Sequence, residues 1–150
     1  MSRILIYHNN DFDGTISASL MMWKYEYKET IGYNYQKRGF LYDSIKKLIM
    51  DADEIHVVDI TLPDELMELT INKKLIVIDH HITEESRMRS YVVRNSDMEY
   101  VFDNTISACA SVYKYTTGTD CFLASEDESI FSTYRGRVAS AVRYAAMYDV

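Results

Sequence analysis

The chain has 150 residues, 47% of them hydrophobic, and a formal net charge of −7. That length suits one ordinary domain with a real core, and no apolar run reaches the ~18 residues that would suggest a membrane span. The acidic balance excludes the basic footprint of a duplex-binding protein, because phosphate neutralisation supplies most non-specific affinity for nucleic acid.

An excess of acids can mean only a soluble surface, or it can mean carboxylates grouped to hold divalent cations. Where the acids fall along the chain decides between the two. The apolar run at the N-terminus is too short for a signal peptide and meets His8 at once. Cys109 and Cys121 have no metal-type spacing, so the expectation is two reduced thiols in a cytoplasmic protein.

Arg3 to Tyr7 (RILIY) reads as a first buried strand, followed by a polar loop from His8 to Gly14. A helix is predicted from Thr15, with Ile16, Leu20, Trp23 and Tyr27 as one apolar stripe. Ile31 to Gln36 alternates apolar and polar, as a strand near a sheet edge does. Leu41, Ile45, Leu48 and Ile49 mark a second helix.

Glu54 to Asp59 is the next strand, ending in an acid, and Thr61-Leu62-Pro63-Asp64 carries helix-start signals before a short helix through Leu66 and Leu69. Leu75-Ile76-Val77-Ile78 is the aliphatic run of a strand buried on both faces, and it stops on Asp79-His80-His81. Ser90 to Arg94 (SYVVR) is predicted as a fifth strand.

Asn104 to Thr117 reads as helical, with Ser107, Ala108, Cys109 and Ala110 packed together and Thr105 and Ser107 at its start. A polar connection, Glu126-Asp127-Glu128, leads to a last helix ending near Met147, with Gly136 as an interruption. Alternating strands and helices imply an α/β fold: a doubly wound, mostly parallel five-stranded sheet flanked by helices. Right-handed crossovers then bring every strand's carboxyl end to one edge.

Three of these strands end in ionisable groups. The first leads to His8, Asp11 and Asp13, the third to Asp59, and the fourth to Asp79, His80 and His81. Carboxylates mixed with a few imidazoles suit Mn2+ or Mg2+, and less often Fe or Co. Several acids drawn together repel one another unless cations compensate them. Asp-x-Asp-Gly alone is common in turns and caps, and an isolated histidine pair is usually a surface feature. Their joint occurrence at the ends of buried strands favours a metal site.

The order His, Asp-x-Asp-Gly, strand-Asp, strand-Asp-His-His resembles the DHH phosphoesterase superfamily over essentially all of residues 1–150. That superfamily includes RecJ-type single-strand exonucleases, NrnA-type oligoribonucleases, cyclic-dinucleotide phosphodiesterases and family II pyrophosphatases. A late Asp after a helix, matched weakly here by Asp149, resembles its fourth motif. The resemblance implies that His8, Asp11 and Asp59 hold one Mn2+. It implies that Asp13, Asp59, His80 and Asp149 hold a second, with Asp59 as the bridge. Asp79 would orient an imidazole from behind, and His81 would face the scissile phosphate.

Two departures stand out. The gap from His8 to Asp11 differs from the family spacings, and the smaller C-terminal substrate-binding domain is expected to be absent from this chain. The implied function is two-metal hydrolysis of phosphodiester bonds in short single-stranded oligonucleotides or dinucleotides. Mg2+ or Co2+ would be substitute ions. The alternatives are a pyrophosphatase-like phosphoanhydride hydrolase and a non-catalytic scaffold or nucleic-acid-binding domain.

Among the remaining features, Tyr25, Tyr27, Tyr33, Tyr35 and Tyr42 cluster near the second strand, where packing is preferred over base stacking as their role. Arg87, Arg89 and Arg94, like Arg135, Arg137 and Arg143, are either solvated or face a phosphate backbone.

Overall fold

The computed structural model describes residues 2–35, 40–122 and 134–148. Five strands, β1 (Arg3–His8), β2 (Glu29–Tyr33), β3 (Glu54–Val58), β4 (Lys74–Asp79) and β5 (Met98–Phe102), form one sheet. Their order is β2-β1-β3-β4-β5, and every neighbouring pair is parallel. No described helix is long and apolar enough to cross a membrane.

The pleat sorts the core into two halves, because successive side chains in a strand point to opposite faces. Ile4, Ile6, Ile55, Val57, Leu75 and Val77 face α2 (Phe40–Asp51), α3 (Asp64–Met67) and α4 (Ile82–Arg94). Leu5, Val58, Ile76 and Ile78 face α1 (Phe12–Lys24), α5 (Ala108–Thr117) and α6 (Tyr134–Tyr148). All five residues of β3 are buried, as a central strand covered on both sides must be.

Several local expectations change. Ser90–Arg94 is the last part of α4, not a strand, and the fifth strand is Met98–Phe102. The β-branched pair misled: Val93 is 88% exposed, while Met88 and Tyr91, three apart on one helix face, are buried. Helix packing against the sheet overrides β-propensity here. The first helix starts at Phe12, three residues before Thr15, because Asp11 caps it. Of the expected stripe, Leu20 is buried and Ile16 packs against the core, but Trp23 is half exposed and Tyr27 lies beyond the helix; the buried face also runs through Gly14, Ser17, Ala18 and Met21.

The helix expected from Asn104 starts at Ala108, with Ser107 as its cap and its small residues buried as anticipated. Gly136 lies inside α6 without interrupting it. Gln36 and the segment Glu126–Glu128 lie outside the described residues.

A polar row crosses the sheet near its amino edge. Arg3, Glu54 and Lys74 are register partners on β1, β3 and β4. Glu54 is 3.0 Å from Arg3 and 3.3 Å from Lys74. His56, fully buried on the same strand, places Nε2 2.7 Å from Glu54 and Nδ1 2.6 Å from the Tyr27 hydroxyl. One neutral tautomer satisfies both contacts: Nε2–H donates to the carboxylate, and Nδ1 accepts from the phenol. Burial pushes His56 down to about 4, outweighing the pull of Glu54. Burial also pushes Glu54 up, but hydrogen bonds from Arg3, His56 and Lys74 win and hold it at about 2.

This row makes stability depend on pH. Unfolded His56 would take a proton near pH 6.5, whereas the folded residue resists until about 4. The unfolded chain binds more protons between these values, so the stabilisation is complete above 6.5 and lost as pH falls toward 4. Urea denaturation is expected to show a loss on the order of 3 kcal/mol over that window. In His56→Gln the slope flattens; an unchanged slope would contradict this account.

Candidate metal centre

The strand order decides where a site can form. With β1 and β3 adjacent and their following connections running to opposite sides, a crevice opens between their carboxyl ends. His8 ends β1, Asp59 follows β3, and Asp79 ends β4 beside it.

Asp11 leaves β1 in extended backbone and caps α1, its Oδ1 accepting from the Gly14 amide at 2.9 Å. Gly14 is required by close approach: a Cβ there would lie 2.0 Å from the His8 carbonyl oxygen. With Gly14 tucked against the strand end, Asp13 points inward and is 2% exposed. Its Oδ2 accepts from the Ala108 amide at 2.9 Å and its Oδ1 from the Cys109 amide at 2.7 Å. Those are free N–H groups of the first turn of α5, where a carboxylate is favoured. Each oxygen keeps a second lone pair for another partner.

Asp59 adopts φ 57°, in the left-handed region. Asp is one of the few residues with a side chain that tolerates this conformation. Its amide donates to the Ile78 carbonyl at 2.9 Å, so the backbone turns away from the strand direction while still tied to β4. The carboxylate, 2% exposed, meets imidazoles on both sides: Oδ2 is 3.4 Å from His8 Nδ1, and Oδ1 is 3.3 Å from His80 Nε2. His80 Nε2 also lies 3.7 Å from Asp13 Oδ2.

His81 is the N-cap residue of α4, and its side chain is 47% exposed. Its Nδ1 donates to Oδ1 of the fully buried Asp79 at 2.7 Å. The His80 and His81 rings meet edge-on with centroids 4.5 Å apart.

The predicted residues therefore gather at one edge. His8, Asp11 and Asp59 offer three ligand atoms within 4.8 Å of one another, and so do Asp59, His80 and His81. Asp59 belongs to both groups. Asp13 stands beside His80, and Asp79 stands behind His81 rather than His80. Asp149 lies outside the described residues.

The donor chemistry fits divalent cations. His8 Nδ1 is 2.7 Å from Asp11 Oδ2, yet this buried nitrogen makes no hydrogen bond. A buried ring nitrogen left without a hydrogen bond beside a carboxylate is a position that a cation can fill. Mixed carboxylate and imidazole donors suit Mn2+-type ions.

Sequence reading missed the α5 amides that hold Asp13; the helix-start signal at Ser107 was the available clue. Thr61 plays a different part from the cap expected of it. It is buried and bonds Tyr35, Glu84 and Arg87. The arginines after the Asp-His-His segment are engaged: Arg87 with Glu84 and Asp64, Arg89 with Glu85, and Arg94 with Glu68. The side chains of Arg135 and Arg137 lie outside the described residues.

Asp13→Asn is expected to destabilise the fold, because the amide nitrogen would face one of two backbone donors. The cost should be roughly 1–3 kcal/mol in urea denaturation. Asp11→Asn keeps its cap acceptor and should cost under about 1 kcal/mol. Equal costs for the two would refute the roles given to these acids.

No curated protein and no solved structure matches the chain significantly. One family model does match, the DHH family, N-terminal domain, over residues 3–142. It spans His8, the Asp11-x-Asp13-Gly14 loop, Asp59 and the Asp79-His80-His81 strand end. The chain belongs to the DHH family of metal-dependent phosphoesterases, as its N-terminal domain.

Proposed function

We propose that the chain is a Mn2+-dependent phosphodiesterase acting on short single-stranded oligonucleotides or dinucleotides in the cytoplasm. The observation that carries the reading is Asp59: one carboxylate shared by two groups of potential ligands at the crevice of the sheet. His8, Asp11 and Asp59 would hold one ion. Asp13, Asp59 and His80 would hold the second, with Asp149 joining by the family pattern. Imidazoles in both sets favour Mn2+ over Mg2+, which prefers oxygen ligands and water. When bound, two such ions supply Lewis-acid stabilisation at the phosphoryl group and lower the pKa of water.

The chain's own groups complete the chemistry. Asp79 holds the His81 ring through Nδ1, so that Nε2 can carry a proton to the leaving oxygen. Its side chain, 47% exposed, is open to a substrate arriving from solvent. The net charge of −7 favours a short substrate over a long duplex. The buried, unlinked thiols of Cys109 and Cys121 suit a reducing compartment.

Asp59→Asn tests the reading, because Asn also tolerates the left-handed backbone and should leave the fold intact. Hydrolysis of a dinucleotide with Mn2+ is expected to fall on the order of 10³-fold. Calorimetry should show at least one Mn2+ site lost. Retained activity would sink the assignment, and wild-type turnover of pyrophosphate in preference to the dinucleotide would redirect it to phosphoanhydrides.

A further inference from the structure

A cavity of about 270 Å³ opens beyond β2, lined by Tyr33, Tyr35, Tyr42, Pro63 and Glu65. Tyr33 is the last residue of β2 and Pro63 caps α3, so the cavity lies at the carboxyl edge of the sheet, the edge that carries the acids and histidines. It connects to them through Tyr35. The Tyr35 hydroxyl donates to Thr61 Oγ1 at 3.2 Å and accepts from the Thr61 amide at 3.3 Å. Thr61 lies two residues after Asp59. Its own hydroxyl donates to Glu84 at 3.0 Å and accepts from Arg87 at 2.9 Å.

Tyr35 is thus anchored at its hydroxyl while its side chain is half exposed, at 52%. Tyr33 supports it edge-on, with centroids 6.2 Å apart and planes at 70°. Burial and the charges of Glu84 and Asp79 keep the hydroxyl protonated, against the pull of Thr61, so it remains a donor.

The geometry points to a nucleobase subsite in this cavity, with Tyr35 as the stacking face and Glu65 as the acceptor for a ring or exocyclic N–H. The inference rests on the phosphodiesterase reading, because the base would belong to a nucleotide whose phosphate faces Asp59. The lining favours a base over other occupants. Its three phenols and one proline offer flat apolar surface, and among the described residues no lysine or arginine lines it. Glu65 repels anions and pairs with N–H donors. The volume falls below the ~300 Å³ at which sites for drug-sized ligands begin, which suits one heterocycle. Stacking on a fixed aromatic ring accepts any base, because every base has a π-face.

Binding of AMP and of ribose 5-phosphate, both with Mg2+, tests the subsite by chemical-shift titration of the whole chain. Wild type is expected to bind AMP about tenfold more tightly than ribose 5-phosphate. Tyr35→Ala should bring AMP down to the level of ribose 5-phosphate and leave the latter unchanged. Tyr35→Phe, which keeps the ring, should retain the preference. Should Tyr35→Ala fail to fold by circular dichroism, Tyr35→Leu takes its place with the same expectation. A preference that survives the loss of the ring, or its absence in wild type, overturns the subsite. Dinucleotide hydrolysis is read separately. Hydrolysis without a base preference overturns the subsite alone, and a base preference without hydrolysis overturns the phosphodiesterase reading and leaves the subsite standing.

Discussion

At Asp59 the chain leaves the central strand in a left-handed conformation, and the Ile78 carbonyl holds its amide. A residue held there costs about 1–3 kcal/mol of backbone strain. The surrounding sheet supplies the constraint. β3 is buried on both faces and paired on both edges, so its end cannot shift to relieve the turn. The result is a carboxylate that meets His8 on one side and His80 on the other. The two ligand groups exist as a pair because this one residue faces both.

The other acids are positioned by different physics. Asp11 is held as a helix cap and Asp13 by two amides at the start of α5. Backbone donors fix both carboxylates while leaving lone pairs for further partners. Asp79 is buried beneath His81 and turns that ring. A cap, a helix N-terminus, a strained turn and a carboxylate–imidazole pair thus set four acids along one sheet edge. Asp11 and Asp13 are held by backbone amides, while Asp59 and Asp79 keep a buried oxygen without a hydrogen bond at a crevice that suits cations.

Several basic side chains among the described residues pair with the chain's own acids. Arg87, Arg89 and Arg94 pair with neighbouring carboxylates, and Arg3 and Lys74 flank Glu54 at the opposite edge of the sheet. Surface pairs of this kind contribute little stability each. Arg87 stands apart: it also bonds the Leu62 carbonyl and Thr61, tying α4 to the loop after Asp59. The same loop anchors Tyr35, so the ring beside the cavity and Asp59 share one support.

Much was legible in the sequence because buried parallel strands leave strong marks. The run from Leu75 to Ile78, closed by Asp79-His80-His81, identified the buried strand β4 and the candidate ligands at its end. The alternation of strands and helices fixed the α/β class, and Asp-x-Asp-Gly marked the loop after β1. Ser90–Arg94 was misread because β-branched residues can lie on the exposed side of a helix, and only packing shows which side is covered. The two amides on Asp13 come from residues about 95 positions away, beyond any local pattern. The same holds for the Tyr35–Thr61 contact. The backbone angle of Asp59 also left no trace, since no glycine announced it. Residue types and strand ends are local properties that one chain records. The meeting of His8, Asp59 and His80 required the strand order β1-β3-β4, which only the assembled sheet decides.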